Sequence, residues 1–196
     1  MSYEDVFDRD LVAVVTFLEM RESPKLELPC SPLSLRRVES PKPVDYRELF
    51  RAVGSRWLWF SRLIMPDSEL AAIIQHPLVE LFTIDDEASR PVGMLELDFR
   101  EPGECELSFV GMIPELSGQG HGRWLLSEAV SRSWREGISR VHVHTCTLDH
   151  PAALSAYCRA GFVPYKRSIE RFPDPRLIGA LPRDCAPQVP LLGTLT

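Results

Sequence analysis

Apolar residues recur along this chain with two different periods, and the switches between them mark out its elements. Leu11 to Met20 is an almost unbroken apolar and β-branched run, which predicts a buried strand. Ser23-Pro24 and the prolines at 29 and 32 separate it from a second extended run, Leu33 to Val38. A helical spacing follows over Asp45 to Val53 and stops at Gly54. Another covers Ser68 to His76, with Asp67 or Ser68 as its cap and Pro77 as its stop. Val79 to Asp85 and Pro91 to Phe99 predict a hairpin around Asp86-Glu87-Ala88-Ser89. The second half reads as a strand from Glu104, a helix from Gly120 to Gly137 and a strand from Val141 to Thr147. A helix over Ala152 to Ala160 and a strand over Phe162 to Ile169 complete it.

This order predicts an α/β (α+β) fold, a mixed sheet flanked by helices. No internal repeat interrupts it. From Arg171 onward the prolines at 173, 175, 182, 187 and 190 exclude regular structure and predict a tail that wraps the surface or the substrate side. The expected organisation is therefore one domain over residues 1–171 and a proline-rich C-terminal tail over 172–196. A chain of 196 residues can bury one sizeable core, and two would be crowded.

Charge narrows the partners. A net charge of −6 gives no electrostatic footprint for nucleic acid, so no nucleic-acid partner is expected. No apolar run approaches the ~20 residues that span a bilayer, and the acidic start Glu4-Asp5 is unlike a signal peptide, so neither a membrane partner nor export is expected. Five cysteines, an odd number without a Cys-x-x-Cys pair, predict reduced thiols and a cytoplasmic protein. Oligomeric state is open, a homodimer being one expectation.

The chemistry concentrates at Gly118-Gln119-Gly120-His121-Gly122-Arg123, which runs straight into the apolar helical spacing of Trp124, Leu125, Ala129 and Val130. A glycine loop opening a helix gathers free N–H groups at the positive end of the helix dipole, an arrangement suited to phosphate. Nucleotide motifs fit it poorly. A P-loop ends in Gly-Lys-Ser/Thr, where this chain has Gly122-Arg123-Trp124. A dinucleotide fingerprint begun at Gly118 needs a glycine at the place of Arg123, and one begun at Gly120 needs it at Leu125. An ordinary capped turn is the alternative for the loop taken alone.

Two flanking segments change that balance. Upstream, Glu104 to Pro114 is an alternating strand ending in glycine and proline; downstream, His150 to Phe162 is a short helix closed by Gly161. Together with the loop they resemble the GNAT superfamily of acetyl-CoA-dependent acyltransferases. The loop is similar to that family's pyrophosphate turn, Arg/Gln-x-x-Gly-x-Gly/Ala, and Tyr157 to Phe162 to its Tyr-x-x-x-Gly-Phe signature. The likeness covers residues 79 to 167. It departs at Ser117, where the family has Arg or Gln, and at His150, where Asn is frequent.

The resemblance implies a mostly antiparallel sheet with a V-shaped opening between the strand of Glu106 and the strand of His142 and His144. It implies acetyl-CoA as co-substrate, held by Gly118, Gln119, Gly120, His121, Gly122 and Arg123. Met112 and Pro114 on the strand edge, and His150, would contact the pantetheine arm. A strand bulge is expected near Gly111. Glu106 is implied as general base, its carboxyl raised by Phe109 and tryptophan neighbours, and Tyr157 as general acid. No metal is expected: His142, His144 and Cys146 share one strand face, but the outer two lie about 13 Å apart. One or both histidines line the acceptor cleft in this reading, and Trp57-Leu58-Trp59-Phe60 either wall it or belong to the core. The expected function is direct acetyl transfer to a primary amine, on a small molecule or a peptide. The alternative is a non-catalytic acyl-CoA-binding regulatory or sensor module.

Overall fold

The first apolar run forms β1 (Asp10–Met20), and the proline-bracketed segment after it forms β2 (Ser34–Arg37). Next come α1 (Pro43–Gly54), α2 (Asp67–Ile74) and the hairpin of β3 (Val79–Asp85) and β4 (Pro91–Asp98). The second half contributes β5 (Glu104–Met112), α3 (His121–Ser133), β6 (Arg140–Cys146), α4 (Ala153–Arg159) and β7 (Val163–Pro173). The computed structural model describes residues 3–25 and 27–192, so the end of the tail, 193–196, lies outside the described residues. Among the described residues no helix is long and apolar enough to cross a membrane.

The strands make one sheet in the order β2-β3-β4-β5-β6-β1-β7. Every neighbouring pair is antiparallel except β5 and β6. The mixed, mostly antiparallel sheet expected from the sequence is therefore present. β1 lies between β6 and β7, hydrogen-bonded to both. Its nearly continuous apolar run is that of an interior strand. Helices cover both faces. Leu95, Leu97, Leu107, Val141 and Val143 pack beneath α3 and α4. Tyr46, Phe50, Val53, Leu70 and Ile74 of α1 and α2 close over Leu81 and Met94 on the other face. The period-2 alternation of β4 sends Met94 one way and Leu95 the other.

Several local expectations change. The helix from Gly120 stops at Ser133: the Ser133 hydroxyl bonds back to the Ala129 carbonyl, and Trp134 turns extended to pack on the core. The last strand continues past Ile169 to Pro173, so Arg171 and Phe172 belong to the sheet; as the edge strand, β7 tolerates a proline. Neither Asp67 nor Ser68 caps α2. Pro66 holds that position, and Asp67 is instead paired with Arg47.

Glu96, on β4, is completely buried. Its carboxylate accepts a hydrogen bond from the Tyr46 hydroxyl at 2.6 Å and another from Arg62 Nη2 at 2.6 Å. Burial raises the Glu96 carboxyl, and the Arg62 guanidinium pulls it back down. Arg62 also lies over the Phe109 ring, with its carbon 5.2 Å from the centroid. One buried network thus ties the loop after α1 to β4 and β5. The tail is fastened to the same loop. Leu181 and Ala186 pack on Leu58, Gln188 donates to the Arg56 carbonyl at 2.6 Å, and the buried pair Asp174–Arg176 reaches the Val189 carbonyl.

Arg62→Ala leaves a buried carboxylate without its cation and is expected to cost about 3–5 kcal/mol at neutral pH. Because a carboxyl raised by burial recovers stability when it takes up a proton, the loss should shrink toward about pH 5, which urea unfolding at the two pH values checks.

Candidate active site

β5 and β6 run parallel and pair only briefly, Glu104 to Glu106 against Arg140 to His142. The closed end of this pair is fastened by Arg140, which donates to Glu104 and Glu19, both at 2.7 Å, and to the Tyr165 hydroxyl at 2.9 Å. Past Glu106 the two strands part. On β5, Leu107 faces Leu97 and Phe109 faces Glu96, so Ser108 is the extra residue of a bulge. The bulge lies at Ser108, not at Gly111 as the sequence suggested. A cleft of about 1180 Å³ opens between the strands and passes through the sheet, from α3 and α4 on one face to the loop after α1 on the other.

The α3 side of the cleft is built from main chain. Ile113 N–H donates to the Val92 carbonyl, so Gly111 also faces β4, while Val110 and Met112 turn their N–H and C=O into the opening. Pro114 has no amide, and its carbonyl accepts from Ser117 N–H at 3.0 Å. Gly118 and Gly120 have φ of +78° and +87°, a left-handed backbone that side chains resist. Gly120 caps α3, so the amides of His121, Gly122 and Arg123 have no helical acceptor. A Cβ at Gly118, Gly120 or Gly122 would meet nothing within 4 Å. The turn is an open cradle of donors. Arg123 and His121 line it; Gln119 does not, because its side-chain amide bonds the Glu115 carbonyl at 2.8 Å.

The two walls touch at the positions where the sequence departs from the GNAT pattern. Ser117 Oγ and His150 Nε2 are 2.9 Å apart, and His150 Nδ1 accepts the Ala152 amide at 3.1 Å. The neutral ring therefore carries its proton on Nε2 and donates it to Ser117. Beside them the half-buried Asp149 joins the walls again. It accepts from Trp59 Nε1 at 3.0 Å, from Thr145 Oγ1 at 2.7 Å and from the Cys146 amide at 2.9 Å.

On the far face, His144 lines the cleft with Glu106 behind it, Nδ1 to Oε1 at 3.4 Å. The imidazole beside Glu106 is raised from its usual value, and Glu106 is lowered, first by the His144 contact. This overturns the expectation of a raised Glu106 carboxyl among aromatic rings. Glu106 and His142 do not line the cleft; His142 pairs with Glu104 at 3.5 Å, and burial lowers it. Tyr157 does line the cleft. It is 8% exposed, edge-on to Phe162, and burial raises its hydroxyl well above the ordinary range. Burial also pushes the Cys146 thiol up to about 11, which makes it a poor nucleophile.

The sequence pattern of the Acetyltransferase (GNAT) family matches residues 46–162, more than half of the chain and all of the cleft lining except Lys25, Glu27, Glu170 and Phe172. This chain belongs to the GNAT family. No curated protein matches it. A GCN5-related N-acetyltransferase from Sphaerobacter thermophilus superposes with a TM-score of 0.62 at 19% identity, covering 83% of this chain and 52% of that one. A spermidine N-acetyltransferase from Vibrio cholerae, solved with CoA and spermine, gives 0.55 at 19% identity over 73% of this chain and 96% of that one. A GCN5-related N-acetyltransferase from Kribbella flavida gives 0.51 at 17% identity over 82% and 57%. At these identities the likeness is one of fold, and the chain spans about half the length of the Sphaerobacter protein.

Sequence reasoning missed Asp149 as the strut between the walls. Its only local signal was an acidic residue in a turn before His150-Pro151, which reads as an ordinary turn former. Glycine substitutions separate strain from space at the cradle. Gly120→Ala is expected to lose about 1–2 kcal/mol from its left-handed φ. Gly122→Ala, in the first turn of α3 with open space around it, should be neutral or gain up to about 1 kcal/mol. Chemical denaturation of the two variants checks the pair.

Proposed function

We propose that this GNAT chain is an N-acetyltransferase that transfers an acetyl group from acetyl-CoA directly to a primary amine. The observation that carries the reading is a single cleft with unpaired main-chain donors on one side of the sheet and a carboxylate-backed imidazole on the other. The Vibrio cholerae neighbour, solved with CoA and spermine, supports a thioester side and an amine side.

The open cradle fits a pyrophosphate: the amides of Gly118, Gly120, His121, Gly122 and Arg123 are free to donate, and a Cβ at any of the three glycines would meet open space. Val110 and Met112 offer the edge hydrogen bonds that an added strand takes, which suits the amide-bearing pantetheine arm. Acetyl-CoA, when bound, supplies the acetyl carbon as a thioester whose C–S bond breaks as the C–N bond forms. The Val110 amide is suited to hold the carbonyl oxygen as negative charge gathers on it.

An ammonium must lose a proton before its nitrogen can attack. His144 is the group facing the amine side, and with Nδ1 turned to Glu106, Nε2 is left to accept that proton. Glu106 acts here as the positioning residue that keeps the ring oriented and basic, so the role that the sequence assigned to Glu106 alone is shared by the pair. The amine gives up its second proton after attack, and the leaving sulfur gains one. Tyr157, held protonated by burial, donates a hydrogen bond to that sulfur.

His144→Gln is expected to lower kcat about 100-fold, while acetyl-CoA affinity by calorimetry stays within about twofold. Tight acetyl-CoA binding with no thiol released, whatever amine is added, would favour the binding-module alternative. The pH profile tests the pair. The base must be neutral, so the acid limb of kcat/KM follows the His144 ionisation and lies above the usual histidine value. Glu106→Gln removes the carboxylate that raises it and should move that limb down by about one pH unit. Gly122→Ala adds a methyl to the cradle and should weaken acetyl-CoA binding about tenfold or more while leaving the fold as stable as before.

A further inference from the structure

The amine half of the cleft carries a second level of detail. Its floor is the sheet face shared by β6, β1 and β7. His144 and Cys146 stand on β6, and Glu170 and Phe172 stand two residues apart on β7, facing the same way. Between them β1 contributes Ala13 opposite Glu170 and Val15 opposite Cys146, both buried beneath this face. Opposite this floor stands the loop after α1, with Trp57, Trp59, Phe60 and Ser61 on the cleft wall. The Phe60 and Phe172 rings are 5.1 Å apart at 31°, forming one apolar end.

Three carboxylates line the whole cleft: Glu27, Asp149 and Glu170. Asp149 is taken up by Trp59, Thr145 and the Cys146 amide. Glu170 makes no hydrogen bond or ion pair among the described residues, although its negative charge is felt by both His144 and Cys146. Three cations line the cleft, Lys25 near Glu27 in the chain and Arg123 and Arg159 on α3 and α4, while Lys166, on the same face as Glu170, rests over the Phe17 ring at 4.9 Å. A free carboxylate within electrostatic reach of the proposed base, at the foot of an aromatic wall, matches one kind of molecule.

We infer that the acceptor is a primary amine carried on a flat apolar body, an arylalkylamine. Glu170 meets the ammonium and the Phe60–Phe172 end meets the ring. The inference rests on the acetyltransferase reading and deepens it. A linear polyamine would lay its chain and a further ammonium along the Phe60 and Phe172 rings, where the desolvation of that ammonium would go uncompensated. A flat ring buries apolar surface there without that cost.

The test uses the full chain with acetyl-CoA and a set of defined amines: 2-phenylethylamine, tryptamine, spermidine and lysine. Acetyl-CoA affinity is measured separately by calorimetry, and turnover by thiol release. The expected result is a kcat/KM for the two aryl amines at least about tenfold above spermidine and lysine. Glu170→Gln should raise KM for phenylethylamine about tenfold without altering acetyl-CoA affinity, and Phe172→Leu should reduce the preference for aryl over linear amines. Turnover of spermidine equal to or better than the aryl amines, or an unchanged KM in Glu170→Gln, would overturn the acceptor class and leave the transferase standing. Absence of acetyl-CoA binding would instead remove the transferase reading and this inference with it.

Discussion

The structure turns on the point where β5 and β6 stop pairing. Three residue pairs hold them parallel, Arg140 fastens that end with two carboxylates and a phenol, and beyond Glu106 the ladder ends. A parallel pair in an otherwise antiparallel sheet must be joined by a crossover, and here the crossover is α3 with its glycine turn. The helix N-terminus is thereby delivered to the mouth of the gap. The bulge at Ser108 keeps β5 bound to β4 while its free side faces empty space, so Val110 and Met112 keep main-chain donors and acceptors unspent. One interruption of a hydrogen-bond ladder yields the opening, the edge and the cradle together.

An opening through a sheet costs packing, and the molecule braces it from both sides. Asp149 reaches across to Trp59, and Arg62 ties the same loop to Glu96 beneath the sheet. Leu58, immediately before the first of these attachments, adopts a left-handed φ of 58° and is 3% exposed, packed under Leu181 and Ala186 of the tail. Non-glycine residues hold such a conformation when surrounding contacts over-determine it. The tail consequently supports the cleft wall from behind, because its apolar residues pack under the loop that carries Trp57 to Phe60. A buried carboxylate with two short hydrogen bonds is costly unless every partner is present, which makes that loop stiff and its position defined.

Elements whose boundaries depend on local chemistry were legible in the chain. The β3–β4 hairpin follows from Asp86, whose carboxylate accepts the Ala88 and Arg90 amides in a tight turn, and α1 follows from its apolar stripe and Gly54. The phosphate-type turn was legible for the same reason: positive φ demands glycine, and glycine is visible in sequence. What long-range packing decides was not. The early end of α3 depends on Trp134 finding the core, and the extension of β7 depends on β1 offering a partner as far as Asp10. Nothing near Glu106 in sequence announces His144, thirty-eight residues away, yet that contact reverses the direction in which the carboxyl is shifted. Glu170 escaped notice because it lies just beyond where the strand was expected to end.

The two departures from the GNAT motifs make sense as a pair. Ser117 stands where the family pattern has a long polar side chain, and His150 where it often has an amide, and in this fold they are hydrogen-bonded to each other. The Ala152 amide fixes the histidine tautomer, so the Nε2 proton goes to Ser117 Oγ, and the serine's own hydroxyl proton stays available on the cleft wall. Trp57 stacks edge-on against the same imidazole, with ring centres 5.1 Å apart, and holds its orientation. A short side chain reaching half-way and a ring reaching the rest span the gap between the β5–α3 turn and the β6–α4 turn. Substituting either alone would leave the other facing open space, so the pair is best understood as one unit that links the two arms of the V across its open end, next to the Asp149–Trp59 hydrogen bond that ties the same turn to the loop after α1.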